Sequence, residues 1–152
     1  HFKGLTGLKQ VTPHRKIVVL RPGAKTRKIT NSDELLLALK GWETVALEKM
    51  TIREQMKTFA EATHIVAAHG AGLINLLWCR PGTKVFEIQD RKMIHKKVYP
   101  VLSHHLGLKH QLYLADTIKI PLQNKKKPAG IKRFSDLINF KVNVKDLIRH
   151  LD

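Results

Sequence analysis

Four short, largely apolar segments recur along the chain, and residues that favour turns separate them. They lie at residues 17–20, 44–47, 64–67 and 84–88. Segments that are apolar at consecutive positions, rather than at every second one, are typical of strands buried on both faces, as in parallel sheets. The pattern therefore predicts four buried strands.

Helical segments are predicted between and after these strands. A helix over residues 33–40 follows Ser32 or Asn31, either of which can act as its N-cap. A Thr-x-x-Glu capping box at Thr51 opens a second helix that extends to about residue 62. The remaining predicted elements are a helix over 73–78, a helix near 98–106, a short strand near 111–114, a loop at 123–130 and a helix from Asn143 to Leu151.

Alternation of strands with short helices predicts the fold class α/β, with a Rossmann-like, mostly parallel sheet and helices on both faces. Residues 1–15 are predicted to be an irregular lead-in, and residues 16–152 a single domain. Ligands of such sheets bind beyond the carboxyl ends of the strands. The turns to search are therefore 21–31, 48–51, 68–75 and 87–90.

Composition narrows the class of protein. The chain has 152 residues, of which 43% are hydrophobic, enough to form a sizeable core and to exclude global disorder. No apolar run approaches the roughly 18–20 residues that a bilayer span needs, so this segment is not expected to be a membrane anchor. The single cysteine excludes an internal disulfide framework and a metal site built from several cysteines.

The chain is strongly basic, with a formal net charge of +16. Such a charge favours polyanions and phosphates of any kind, including nucleotide-sugar diphosphates and anionic membrane surfaces. Aromatic residues make up only 6% of the chain and do not interleave with the basic runs, so a nucleic-acid stacking platform is not indicated. The lysine run 125–127 is interpreted as a solvated loop, with contact to lipid headgroups as the alternative.

Three of the four turns carry candidate ligand-binding residues. His69, Gly70, Ala71 and Gly72 follow the third strand, where glycines allow close backbone approach and a helix start offers N–H groups to an anion. The alternative is a tight turn whose glycines serve packing. A full GxGxxG pattern is absent, so no dinucleotide-binding motif is assigned.

The turn after the first strand adds Arg21 and Arg27, with Asn31 at the start of the next helix. Guanidinium groups match phosphate oxygens in geometry and stay charged. Glu87 is placed at the end of the fourth strand, where a carboxylate can accept hydrogen bonds from two ribose hydroxyls. The alternatives are a solvated basic loop and a carboxylate paired with a nearby cation.

These motifs occur together in an order that resembles a known family. The order is Arg21-x5-Arg27-x-Ile29-x-Asn31, Leu47-Glu48, His69-Gly70-Ala71-Gly72-Leu73-x-Asn75 and Pro81-Gly82-x3-Phe86-Glu87-Ile88. The series is similar to the C-terminal half of glycosyltransferase family 61, the DUF563 domain, over roughly residues 16–115.

The resemblance implies the donor-binding domain of an inverting, metal-independent GT-B enzyme that uses a nucleotide-sugar, with UDP favoured, and a glycan or glycoprotein acceptor. Arg21 and Arg27 would hold the diphosphate, and Glu87 the ribose. The turn from His69 to Gly72 would face the phosphates, with Asn75 in the helix behind it. No metal and no cofactor beyond the donor are implied.

A GT-B enzyme needs two domains, so the acceptor-binding N-terminal domain is expected to lie outside this chain or in a partner chain. The base that deprotonates the acceptor is then also expected outside it, and His69 is the weak candidate within it. Glu48 matches an acidic position of the family without an assigned role. The competing hypotheses are a non-catalytic basic module that binds nucleic acid or another polyanion, and an inactive relative that keeps the fold for protein contacts.

Overall fold

The helices and strands alternate along the chain. The computed structural model describes residues 11–91, 97–119 and 138–151. The strands are β1 (Arg15–Leu20), β2 (Glu43–Ala46), β3 (Ala62–Ala68), β4 (Lys84–Asp90), β5 (Lys109–Lys119) and β6 (Ile138–Lys141). The α-helices are α1 (Ser32–Ala38), α2 (Ile52–Ala60), α3 (Val98–His105) and α4 (Val144–Leu151), and two 3₁₀ helices span Leu47–Lys49 and Ala71–Trp78.

The six strands form one sheet in the order β2-β1-β3-β4-β5-β6. Strands β2, β1, β3, β4 and β5 are mutually parallel, and only β6 pairs antiparallel with its neighbour. The predicted α/β class with a Rossmann-like, mostly parallel sheet is confirmed. Val19 pairs with Ala67 across β1 and β3, and Ala67 pairs with Glu87 across β3 and β4.

Apolar side chains cover the sheet on both faces, which explains the continuous apolar runs of the sequence. Ile17 and Val18 are adjacent in β1 and both fully buried, one on each face. On the first face Val18 belongs to a cluster with residues of α1 and α4, including Leu35 and Leu147. On the second face Ile17 belongs to a cluster with residues of α2 and of the 71–78 helix.

Several element boundaries differ from the prediction. The 71–78 segment is a 3₁₀ helix rather than an α-helix. Strand β4 continues past residue 88 to Asp90, and β5 is much longer than the short strand expected at 111–114. Strand β6 was not predicted. The loop expected at 123–130 and most of the irregular lead-in lie outside the described residues.

The capping box at the start of α2 is formed as predicted. The Thr51 side chain accepts a hydrogen bond from the backbone N–H of Glu54, and the Glu54 carboxylate accepts from the backbone N–H of Thr51. Helix α2 thereby starts at a defined residue and packs Phe59 into the second cluster. Among the described residues, no helix combines the length and the hydrophobicity needed to cross a bilayer.

Candidate functional site

The strand order brings the ends of β1 and β3 together. β1 lies between β2 and β3, so the chain leaves β1 toward one side of the sheet, and β3 is added on the other side. In sheets of this order, ligands bind in the crevice where the connections diverge. The turn that follows β1 and the turn at residues 69–72 both lie at this edge.

Arg21 and Arg27 converge on the turn that follows β3. A β-carbon placed on Gly70 would lie 3.6 Å from Nη1 of Arg21 and 3.7 Å from Nη1 of Arg27. Nη1 of Arg27 also donates a hydrogen bond to the His69 carbonyl oxygen, at 3.4 Å. The structure therefore places both guanidinium groups beside the glycine turn, as the sequence interpretation required.

The two guanidinium groups are close enough to repel each other. Burial lowers the pKa of Arg21, the positive charge of Arg27 lowers it further, and the Glu48 carboxylate opposes both effects. The side-chain Nε of Arg27 is buried and has no hydrogen-bond partner within the described part of the chain. An anion bound between the two groups would relieve the repulsion and supply hydrogen-bond acceptors.

The loop that carries Arg27 is held by β6. The backbone N–H of Arg27 donates to the Ile138 carbonyl oxygen at 2.5 Å, and the N–H of Phe140 donates to the Lys28 carbonyl oxygen at 2.7 Å. Arg27 has a φ of 59°, in the left-handed region that costs a non-glycine residue about 1 kcal/mol. Pairing with β6 thus keeps Arg27 in an unfavourable backbone conformation that directs its side chain toward Gly70.

Beside Arg21 lies a cleft of about 370 Å³ at the same edge of the sheet. Its lining includes Arg21, Glu48 and Gly70 together with apolar residues such as Leu73. The Glu48 carboxylate accepts a hydrogen bond from the backbone N–H of Gly23 at 3.3 Å, which ties it to the turn after β1. Glu48 therefore balances part of the positive charge at one end of the cleft.

Gly72 and Asn75 maintain the conformation of the 69–72 turn. A β-carbon on Gly72 would lie 2.7 Å from Cδ1 of Leu47, so a larger residue would displace that side chain. The Asn75 side-chain amide donates to the Gly72 carbonyl oxygen at 3.1 Å and to the Gln55 side chain at 3.0 Å. Asn75 lies behind the turn, as expected, and ties it to α2.

Asn31 and Ala71 lie at the ends of the two turns. The Asn31 side chain donates to the Val142 carbonyl oxygen at 2.8 Å and accepts from the Val142 N–H at 3.0 Å, so it joins the loop to the segment after β6. It makes no side-chain capping bond to α1. Ala71 is exposed at the first position of the 71–78 helix, where the leading N–H groups lack intrahelical partners.

Glu87 does not end β4, and this part of the sequence interpretation was wrong. The strand continues to Asp90, and the Glu87 side chain is fully buried. One carboxylate oxygen is hydrogen-bonded to Nδ1 of His69, and the other lies 2.9 Å from Nε2 of His110. Glu87 therefore lies beneath the turn, with both oxygens bonded to imidazoles, and offers no exposed oxygen to a ribose.

The Glu87 carboxylate is ionised despite its burial. Burial alone raises its pKa, but hydrogen bonds from His110 and His69 lower it below the ordinary value. Tyr99 packs edge-on against His69, with ring centroids 5.4 Å apart. Burial and then the Glu87 charge raise the pKa of Tyr99, which keeps its hydroxyl protonated.

Tyr99, Ser103 and His110 are site residues that sequence reasoning missed. Tyr99 and Ser103 lie in α3, where nothing distinguishes them from packing residues. His110 is 23 positions away from its partner Glu87, so no local sequence pattern links the two. Within the described residues, no three His, Cys, Asp or Glu side chains are grouped to hold a metal ion.

Comparisons with known proteins point to one family. Residues 1–86, more than half of the chain, match the sequence profile of Glycosyltransferase 61. Beta-1,2-xylosyltransferase RCN11 of Oryza sativa subsp. japonica is 28% identical over 133 residues, which cover 80% of this chain. The matched part is 22% of the length of that rice protein, so the chain spans about a fifth of its curated relative.

The ionised, buried Glu87 predicts a pH-dependent contribution to stability. Its pKa in the folded chain lies below the ordinary value of 4.5, so its stabilising effect is complete above about pH 4.5 and is lost as the pH falls through the lower folded value. We expect Glu87→Gln to be less stable than the unmodified chain above pH 4.5, and the difference to shrink below it. Urea unfolding at a series of pH values measures this. A difference that grows on acidification would contradict the assignment.

Proposed function

The chain belongs to glycosyltransferase family 61, and from this premise we propose that it forms the donor-binding part of an enzyme that transfers a sugar from a nucleotide-diphosphate sugar to a glycan or protein acceptor. UDP is the nucleotide we propose, with inversion at the anomeric carbon. The rice relative, a xylosyltransferase by name, supports sugar transfer as the reaction class. The acceptor site would lie in a second domain or a partner chain.

The convergence of Arg21 and Arg27 beside Gly70 is the observation that carries the proposal. In sugar transfer, the bond between the anomeric carbon and the diphosphate oxygen breaks, and negative charge develops on the departing nucleotide. Fixed cations at that oxygen stabilise the transition state more than the ground state. Two guanidinium groups carry the same formal charge as one divalent cation, so the proposed mechanism requires no metal.

The backbone at the turn complements this charge. Gly70 lacks the side chain that would occupy the space beside both Nη1 atoms, so a phosphate can approach the turn closely. The 71–78 helix begins directly after Gly70, and its first N–H groups would add partial positive charge there. A diphosphate has enough oxygens to meet both kinds of donor at once.

Replacing Arg21 tests the assignment of the diphosphate. Each charge-assisted hydrogen bond contributes about 1.5–3 kcal/mol, so Arg21→Ala should weaken UDP binding roughly ten- to hundredfold, and Arg27→Ala similarly. Lys25→Ala removes the same charge from an exposed position of the same loop and should change the affinity little. Isothermal titration calorimetry with UDP measures all three. Affinity in Arg21→Ala equal to that of the unmodified chain would remove Arg21 from the site.

Gly70→Ala tests the close approach at the turn. The backbone of Gly70 is extended, with a φ of 166°, and an alanine β-carbon would make ordinary contacts with both guanidinium groups. We therefore expect folding to be retained while UDP affinity falls, because the methyl group fills the space the phosphate needs. Thermal unfolding and calorimetry on the same sample separate the two effects. Unchanged affinity with an unchanged melting temperature would show that the ligand does not approach Gly70.

The net charge of +16 favours a second candidate, a basic module that binds nucleic acid. Titrations with UDP and with a mixed single-stranded oligonucleotide at two salt concentrations separate the candidates. A donor-binding site should saturate with UDP and lose little affinity in salt, because UDP carries few charges. A polyanion-binding surface should lose oligonucleotide affinity steeply, since binding releases many counterions, and should not respond to UDP.

A further inference from the structure

A buried chain of hydrogen bonds extends from the 69–72 turn to helix α3. It runs from Nδ1 of His69 to one oxygen of Glu87, from the other oxygen to Nε2 of His110 at 2.9 Å, and from Nδ1 of His110 to the Ser103 hydroxyl at 2.7 Å. Glu87 and Ser103 are fully buried. We call these four residues the Ser103–His69 chain.

The strand register explains why these side chains meet. Glu87 pairs with Ala67 in β3, and Val85 pairs with His110 in β5. Side chains two residues apart in a strand share a face, so His69 and His110 both lie on the same side of the sheet as Glu87. Helix α3 covers this side, with Tyr99 against His69 and Ser103 against His110.

The chemistry of the groups fixes the direction of each hydrogen bond. An ionised carboxylate only accepts hydrogen bonds, so His69 must donate through Nδ1–H and His110 through Nε2–H. In its neutral form His110 then has a bare Nδ1, to which the Ser103 hydroxyl donates. Neutral His69, for the same reason, carries its proton on Nδ1 and leaves Nε2 as a hydrogen-bond acceptor.

We propose that Glu87, His110 and Ser103 are positioning residues that hold His69 in this tautomer, so that its Nε2 accepts a hydrogen bond from a hydroxyl group of the bound nucleotide. The proposal rests on the proposed function, since it takes the nucleotide to lie at the 69–72 turn. A bare imidazole nitrogen cannot donate to a phosphate oxygen, whereas it matches a hydroxyl. Arg21 and Arg27 would then meet the phosphates, and His69 the hydroxyl next to them.

The buried carboxylate gives His69 a fixed orientation as well as a fixed tautomer. An imidazole held at one nitrogen by a carboxylate cannot rotate without breaking that bond. His110 in turn fixes the orientation of Glu87, because its hydrogen bond to the second oxygen prevents the carboxylate from rotating. Replacement of His110 should therefore weaken ligand binding indirectly, through Glu87 and His69, although His110 itself does not contact the ligand.

The test uses histidine labelled with ¹⁵N and long-range ¹H–¹⁵N spectra at about pH 8, where ordinary imidazoles are neutral. His69→Gln assigns the His69 resonances. We expect the unmodified chain to show a protonated Nδ1 and a bare Nε2 at His69, and saturating UDP to shift the Nε2 resonance. The compared variants are His110→Leu, which removes the donor to Glu87, His110→Gln, which restores an N–H donor, and His105→Leu, an exposed control on α3.

His110→Leu should change the His69 ring resonances and weaken UDP binding on the order of tenfold, by analogy with the loss of an outer partner from a metal-ligating histidine. His110→Gln should restore most of both, and His105→Leu should change neither. Ser103→Ala, the mildest change, should move the His69 resonances in the same direction as His110→Leu and by less. Ser103→Ala therefore tests the positioning of His69 even if His110→Leu folds poorly.

Three outcomes would overturn the proposal. The first is a proton on Nε2 of His69 in the unmodified chain. The second is an Nε2 resonance that does not shift although calorimetry shows that UDP is bound. The third is a set of His69 resonances that is unchanged both in folded His110→Leu and in Ser103→Ala. Failure of the proposed function looks different. In that case calorimetry detects no UDP binding at all, and the tautomer of His69 still shows whether the Ser103–His69 chain is formed.

Discussion

The pairing of β1 with β3 determines the site. Val19 lies opposite Ala67, and each strand is followed directly by a residue of the candidate site, Arg21 after β1 and His69 after β3. A slip of one residue would move the strands by about 3.3 Å and exchange their faces, a shift larger than a hydrogen bond tolerates. Ile17 and Val18, fully buried on opposite faces, prevent that slip. The core therefore sets the distance between guanidinium groups and turn.

The sequence predicted those parts of the fold whose evidence is local. The four parallel strands β1 to β4 were found from consecutive apolar residues, and α2 from its capping box at Thr51. Strand β6 was not, because its identity depends on pairing with residues far away in the chain, such as Lys28 and Asp116. The same long-range pairing positions Arg27. The convergence of the two arginines could therefore be predicted from the fold topology, whereas the strained backbone conformation of Arg27 could not.

Glu87 shows why a buried polar residue misleads sequence reasoning. A carboxylate near the end of an apolar run suggests the rim of the sheet, yet Glu87, Gln89 and Asp90 are all buried. Ionisable groups are seldom buried unless they are paired. The partners His69 and His110 lie 18 and 23 positions away and become neighbours only through the register of three strands. Without that register, nothing in the sequence pairs His110 with Glu87.

The net charge and the arginine pair act over different distances. A charge of +16 attracts anions of every kind, but salt at physiological strength screens exposed charges beyond about 8 Å. Arg21 and Arg27 lie beside Gly70 in partly buried positions, where screening is weaker. Diffuse charge can therefore speed the arrival of a ligand, whereas selection among anions depends on the spacing of the two guanidinium groups around Gly70. Under the proposed function these two groups would meet the phosphates, and His69, held by the buried carboxylate of Glu87, would add a hydroxyl acceptor that a simple anion site does not need.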